Sequence, residues 1–189
     1  PYTTLFRSHL AQGDVSRGSG LLEAAWDAAR EAEAWDLAAE VALAFSRIGL
    51  LPTPESGAAR AEQAAVAFER LGEADPFRRG LLATYLYNIL AFVDERAADR
   101  YLDEAVRLAV VDPELAPYVD VCTLRREVEL GRSPNLAVST AAALARRDRR
   151  ANPLAAVMAE VLGAAALVSA GRPVDRELLD RIVVEGRAL

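Results

Sequence analysis

Ala64-Ala65-Val66-Ala67-Phe68-Glu69-Arg70-Leu71-Gly72-Glu73-Ala74-Asp75-Pro76 is the stretch on which the fold of this chain turns. Its first eight residues carry apolar side chains at helical spacing, and the run stops at Gly72, the residue type that most easily takes a left-handed turn after a helix. Asp75 and Pro76 then supply a capping carboxylate and a ring whose fixed φ and missing N–H suit a first helical turn. The segment predicts the end of one helix, a short turn and the start of another.

The same punctuation recurs along the chain. Asp112-Pro113 and Asn152-Pro153 repeat the cap-and-proline start, and Gly131 and Gly171 repeat the glycine stop. Further breaks fall at Gly49 to Ser56, Val93 to Arg96 and Gly131 to Pro134. They bound about nine helices, near 20–33, 36–48, 57–71, 77–92, 97–110, 114–130, 135–150, 154–170 and 176–186. The third, fifth and seventh begin near Gly57, Ala97 and Asn135, roughly 40 and 38 residues apart, and each is followed by a second helix, the signature of a helix-pair repeat.

Composition agrees with an all-α fold. Ala (39) and Leu (26) supply a third of the 189 residues against 3 Ile, so unbranched helix formers outweigh strand-favouring types. Every one of the 22 basic residues is Arg, set against 28 acidic ones for a net charge of -6. That is the wrong sign for a nucleic-acid footprint, and without lysine neither a P-loop nor a Schiff base can be built. Cys122 allows no internal disulfide and suits a reducing cytoplasm. Its place on the apolar side of the sixth helix predicts a buried, inert thiol.

The N-terminus reads differently from the rest. Pro1-Tyr2-Thr3-Thr4-Leu5-Phe6-Arg7-Ser8 looks like a translated sequencing adapter, and residues 1–19 are expected to form a poorly packed lead into a helical-repeat domain over 20–189. Gly18-Ser19-Gly20 lacks the strand, third glycine and lysine of a phosphate loop and reads as a flexible approach to the first helix. With His9 the only histidine, neither a Ser-His-Asp triad nor a histidine metal site can be assembled, so no enzyme, cofactor or metal is expected.

Two helices, Leu81 to Val93 and Leu154 to Ala170, are apolar nearly all round and are expected to lie between neighbours. The second is too short and too Ala-rich to span a membrane and carries Glu160 near its middle. Their isolated polar residues, Thr84, Tyr85, Asn88 and Glu160, must find hydrogen-bond partners if buried. Tyr85, Tyr87 and Asn88, with Tyr118 and Asp120 on the sixth helix, are the candidate binding residues, taken to face a concave groove such as superhelical repeats use. The basic run Arg146-Arg147-Asp148-Arg149-Arg150 closes the seventh helix, where cations complement the macrodipole.

Several of these segments resemble known families. Ala64 and Phe68, with Pro76 eight residues on, match the second-helix half of a tetratricopeptide unit, and Tyr101 with Ala105 and Leu162-Gly163 repeat parts of it; Leu71 departs from it, standing where a small residue belongs. The run from Ala58 through Ala83, Ala98 through Ala109, and Ala170-Gly171-Arg172-Pro173-Val174-Asp175-Arg176-Glu177-Leu178-Leu179-Asp180-Arg181 resemble the tetratricopeptide-like arm of the large ATP-binding LuxR-type regulators, the MalT-like family. The likeness covers roughly residues 20–189.

That resemblance implies a right-handed superhelical solenoid and a bacterial, cytoplasmic role in transcription regulation, as a sensor or scaffold that binds a protein partner or a small inducer. ATP and DNA would be handled by flanking domains of the parent protein, not by these residues. The alternatives are a free-standing tetratricopeptide-like adaptor and a helical arm restraining a multidomain ATPase- or cyclase-type enzyme. Leu178, Leu179, Ile182, Val183 and Val184 offer more apolar surface than one neighbour can absorb, so self-association through exposed repeat ends is expected.

Overall fold

A computed structural model describes residues 15–46, 54–73, 75–131 and 133–187. Pro1 to Ser8, His9 and the rest of the segment before Val15 lie outside the described residues. Among the described residues the regular structure is entirely helical: α1 Val15–Glu31, α2 Trp35–Ser46, α3 Pro54–Leu71, α4 Pro76–Leu90, α5 Glu95–Val111, a 3-10 turn Pro113–Leu115, α6 Ala116–Glu129, α7 Pro134–Asp148, α8 Pro153–Ser169 and α9 Arg176–Arg187. The chain is all-α, as its composition and punctuation predict.

Two of the three predicted cap-and-proline starts, at Asp75 and Asn152, are formed, and Asp94 caps α5 in the same way. Asp112 instead ends α5, a 3-10 turn follows, and α6 starts from Leu115 with no side-chain cap. Asp75 accepts from the Arg78 amide at 2.8 Å, Asp94 from the Ala97 amide at 3.0 Å and Asn152 from the Ala155 amide at 3.1 Å. Each satisfies one of the N–H groups that a helix start leaves without an intrahelical partner. Gly72, Gly131 and Gly171 have φ of +62°, +61° and +67°, the left-handed conformation that a side chain disfavours.

Two expectations are corrected. Gly18-Ser19-Gly20 is not a lead into the first helix but part of α1, which begins at Val15. Two helical glycines cost about 1 kcal/mol each, and the buried stripe Leu22, Ala25, Trp26 and Ala29 that follows outweighs that cost. The apolar helix α8 is also not enclosed on all sides, whereas no residue of α4 itself is exposed. Phe92 and Val93, just past α4, are 76% and 81% exposed, and α8 presents Leu154, Met158, Val161 and Val168 to solvent.

Packing divides the chain into two compact units, one ending at Asp112 and one beginning at Pro113. In the first, α2 packs on α1, α3 and α4, and α4 packs on α3 and α5. Ala64, Ala67 and Phe68 of α3 are buried, as are Leu82, Leu86 and Tyr87 of α4. The Phe68 ring meets Tyr101 edge-on at 5.4 Å, and the Arg79 guanidinium lies 3.9 Å over its face. Arg79 also donates to the carbonyls of Phe68 and Gly72, both at 3.0 Å, and to Glu104 at 3.3 Å. One cation thereby closes the C-terminal end of α3 and ties it to α5.

In the second unit α8 is the hub, packed on α6, α7 and α9. Its core consists of Leu124, Ala137, Ala141, Leu144, Ala145, Ala159 and Ala166. These are mostly alanines, so the helices come close. At Gly163 a Cβ would stand 2.9 Å from the Ala141 Cβ, inside any tolerable contact.

Candidate functional site

A groove of about 270 Å³ runs between α6 and α7. On α6 it is lined by Asp120, Thr123, Leu124 and Glu127, and on the α7 side by Ser133, Leu136, Ala137, Thr140 and Leu144. The sequence builds it simply. Leu136, Thr140 and Leu144 follow in four-residue steps, and Asp120, Thr123, Leu124 and Glu127 in three- and four-residue steps, so each set occupies one face of its helix. Two facing stripes of this kind leave an apolar floor between polar rims.

The polar groups of the groove are unequally committed. The Thr123 hydroxyl donates back to the Val119 carbonyl at 2.9 Å, as a helical threonine commonly does. Ser133 stands at the N-cap of α7, yet its side chain makes no capping bond. Asp120 accepts from Arg147 at 2.6 Å, and the same guanidinium grips both carboxylate oxygens of the buried Asp148, at 2.7 and 2.8 Å. The Asp148 hydrogen bonds, with a smaller contribution from Asp120, hold the Arg147 proton more firmly than in a free guanidinium, against the opposing effect of partial burial. The fork fixes α6 against α7 at one end of the groove and neutralises Asp120 there.

The five residues singled out from the sequence separate. Tyr85, Tyr87 and Asn88 belong to α4 in the first unit; Tyr118 and Asp120 belong to α6 in the second. Of these, Asp120 lines the groove. Tyr87 is 2% exposed, inside the core of its unit. Tyr85 is half-buried, and burial raises its phenol pKa, with Arg60 acting against the rise. The Asn88 amide donates to the Thr84 carbonyl at 2.9 Å, while the Thr84 hydroxyl donates to the Leu81 carbonyl at 2.8 Å, so both spend hydrogen bonds within α4. Tyr118 is half-buried near the start of α6.

The remaining sequence signals fall into structural places. Cys122 is buried at 3% exposure. Glu160, buried in α8, accepts from Arg149 at 2.5 Å and from Arg181 at 3.0 Å. The basic run is partly spent on internal pairs, Arg147 with Asp120 and Asp148, Arg149 with Glu160 and Glu185. Among the described residues no cluster of three or more His, Cys, Asp or Glu could hold a metal ion, and no helix is long and apolar enough to cross a membrane.

Sequence reasoning missed Leu136, Thr140 and Glu127. The sequence offered one partial signal, that Leu136 and Thr140 share a helix face; that Leu136 is 65% exposed and borders a groove emerges only once α7 is placed beside α6. No family model, curated protein or solved structure matches this chain.

Proposed function

We propose that this chain is a non-enzymatic sensor or scaffold segment of a LuxR-type, MalT-like transcriptional regulator, built of tetratricopeptide-like helix pairs, and that the groove between α6 and α7 takes its protein partner or small inducer. The observation that carries the reading is the groove's make-up. An apolar floor of Leu124, Leu136, Ala137 and Leu144 is bordered by hydroxyls and by a carboxylate already paired to Arg147. Such a surface supplies burial and a few orienting polar groups, which is what recognition needs. The buried Ala64 and Phe68, closed by Arg79, support the tetratricopeptide-like reading of the first unit. A regulator of this kind works in the bacterial cytoplasm, where Cys122 stays reduced.

The sequence of the parent gene on both sides tests the assignment. A nucleotide-binding loop with its lysine upstream and a helix-turn-helix downstream support it; flanks encoding neither domain defeat it in favour of a free-standing adaptor. Calorimetry on the chain itself is the companion measurement, with neither ATP nor duplex DNA expected to bind, since the chain lacks lysine and carries a net charge of -6. Saturable micromolar binding of either would contradict the arm reading.

A further inference from the structure

We propose that α9 is a displaceable strap on α8, fastened by ion pairs and able to lift while the rest of the second unit stays folded. Three observations lead there. No residue of α9 is buried, and among the described elements it packs against α8 alone. Its links to the body are charged: Arg181 donates to Glu160, and Glu185 accepts from Arg149, which also donates to Glu160. The four groups form an alternating chain, Arg181, Glu160, Arg149, Glu185, that begins and ends on α9. The third observation is Glu160 itself. Its side chain is 8% exposed, both arginines converge on Oε1, and Oε2 has no hydrogen-bond partner among the described residues.

The energetics favour opening at this joint. A carboxylate taken out of water with one oxygen unsatisfied bears a desolvation penalty that its ion pairs only partly offset. Lifting α9 returns Glu160 and Arg149 to solvent, so the lost pairing is compensated by hydration. Where α7 and α8 meet, separation would instead expose a core of close-packed alanines and leucines with nothing gained in return. Apolar contact under the strap is limited: of the α9 aliphatics Leu178 and Ile182 are half-buried, and Leu179, Val183 and Val184 are exposed. Gly186 stands against Val157, where even an added Cβ would only reach 4.0 Å from its Cγ1. Lifting uncovers Val157 and Glu160 beside Met158 and Val161, which are already exposed.

Hydrogen exchange on the full chain, read by mass spectrometry, tests this. At low salt the amides of 176–187 should exchange through local opening, several-fold faster than those of 154–169. Raising salt to about 1 M, where the screening length falls to roughly 3 Å, should speed α9 further and leave α8 unchanged, because Arg149, Arg181 and Glu185 are each more than a third open to solvent or nearly so. Glu160→Gln should reproduce the salt effect at low salt. The pair Arg181→Met with Glu185→Gln, which leaves Glu160 its bond to Arg149, should do the same and guards against a folding defect in the first variant. Protection of α9 equal to that of α8, indifference of α9 to salt and to both variants, or loss of α8 protection together with α9 in the Arg181→Met, Glu185→Gln chain would each overturn the proposal.

Discussion

Replacing Gly163 with alanine tests the helix contact on which the second unit is built. In an exposed helix the change is favourable by about 1 kcal/mol, because alanine loses less backbone entropy on folding. Here the new Cβ would arrive 2.9 Å from the Ala141 Cβ, whereas carbon atoms rest at about 3.5–4.0 Å. The obstructing atom is bonded directly to the α7 backbone and cannot swing away, so the helices must part by several tenths of an ångström or more. Overpacking of this kind costs about 1–3 kcal/mol; against the propensity gain, the net is a loss of roughly 0–2 kcal/mol. Gly20 in α1 is the control, since nothing lies within 4 Å of a Cβ placed there, and Gly20→Ala should stabilise. The exchange Ala141→Gly with Gly163→Ala moves the methyl group across the same gap and should return stability close to that of the parent. Urea unfolding followed by circular dichroism measures all four chains. If Gly163→Ala stabilises as much as Gly20→Ala, and the exchange restores nothing, the close approach of α7 and α8 is not as described.

Arg79→Met keeps the aliphatic stem but removes the bonds to the Phe68 and Gly72 carbonyls and to Glu104; a loss of about 2–4 kcal/mol is expected in urea unfolding, and an unchanged midpoint would refute the capping role. Glu104 has its carboxyl pKa held below 4.5, chiefly by the hydrogen bond from Arg107 and against some desolvation. Its stabilisation is therefore present above pH 4.5 and lost as the pH falls through the lowered value, so Glu104→Gln should lower the melting temperature at neutral pH and converge with the parent in strong acid; equal melting temperatures throughout would remove the effect. Val183 and Val184 are 50% and 67% exposed on α9, and if they drive self-association, Val183→Glu should shift light scattering toward monomer at micromolar concentration, whereas a parent that is already monomeric there would dismiss that role.

What could be read from the sequence was local. Asp75 and Asn152 cap helices because a short side-chain oxygen reaches an amide three residues on, a relation confined to neighbouring residues. The groove fell outside that reach, because it needs to be known that α6 and α7 lie side by side and which stripe of each faces the other. Helical phase separates one face from another but does not say which is covered. Tyr85 and Tyr87 illustrate this: two residues apart on α4, they point about 200° from each other around the axis, and one is half-buried while the other is in the core. The apolar circumference of α8 misled for the same reason. Alanine satisfies a buried and an exposed helical position almost equally, so an Ala-rich helix does not announce its solvent side.

The absence of lysine takes on a physical sense once the pairs are seen. An alanine-rich interface buries little apolar surface per contact, at about 0.8 kcal/mol for each CH₂ group, so the register of one helix on another is weakly fixed by packing alone. The guanidinium forks supply register instead. Arg78 joins its own cap Asp75 to Glu40 of α2, Arg79 joins the end of α3 to Glu104 of α5, Arg147 joins Asp120 of α6 to Asp148 of α7, and Arg149 joins Glu160 of α8 to Glu185 of α9. Each uses two or more nitrogens in fixed, planar directions on acceptors from different helices, which a single rotating ammonium cannot do. The contrast between Arg147 and Arg149 then explains why one joint is rigid and the other able to open. Arg147 grips both oxygens of one carboxylate on its own helix and reaches a second helix that shares an apolar core with it, whereas Arg149 spans to a helix that shares none.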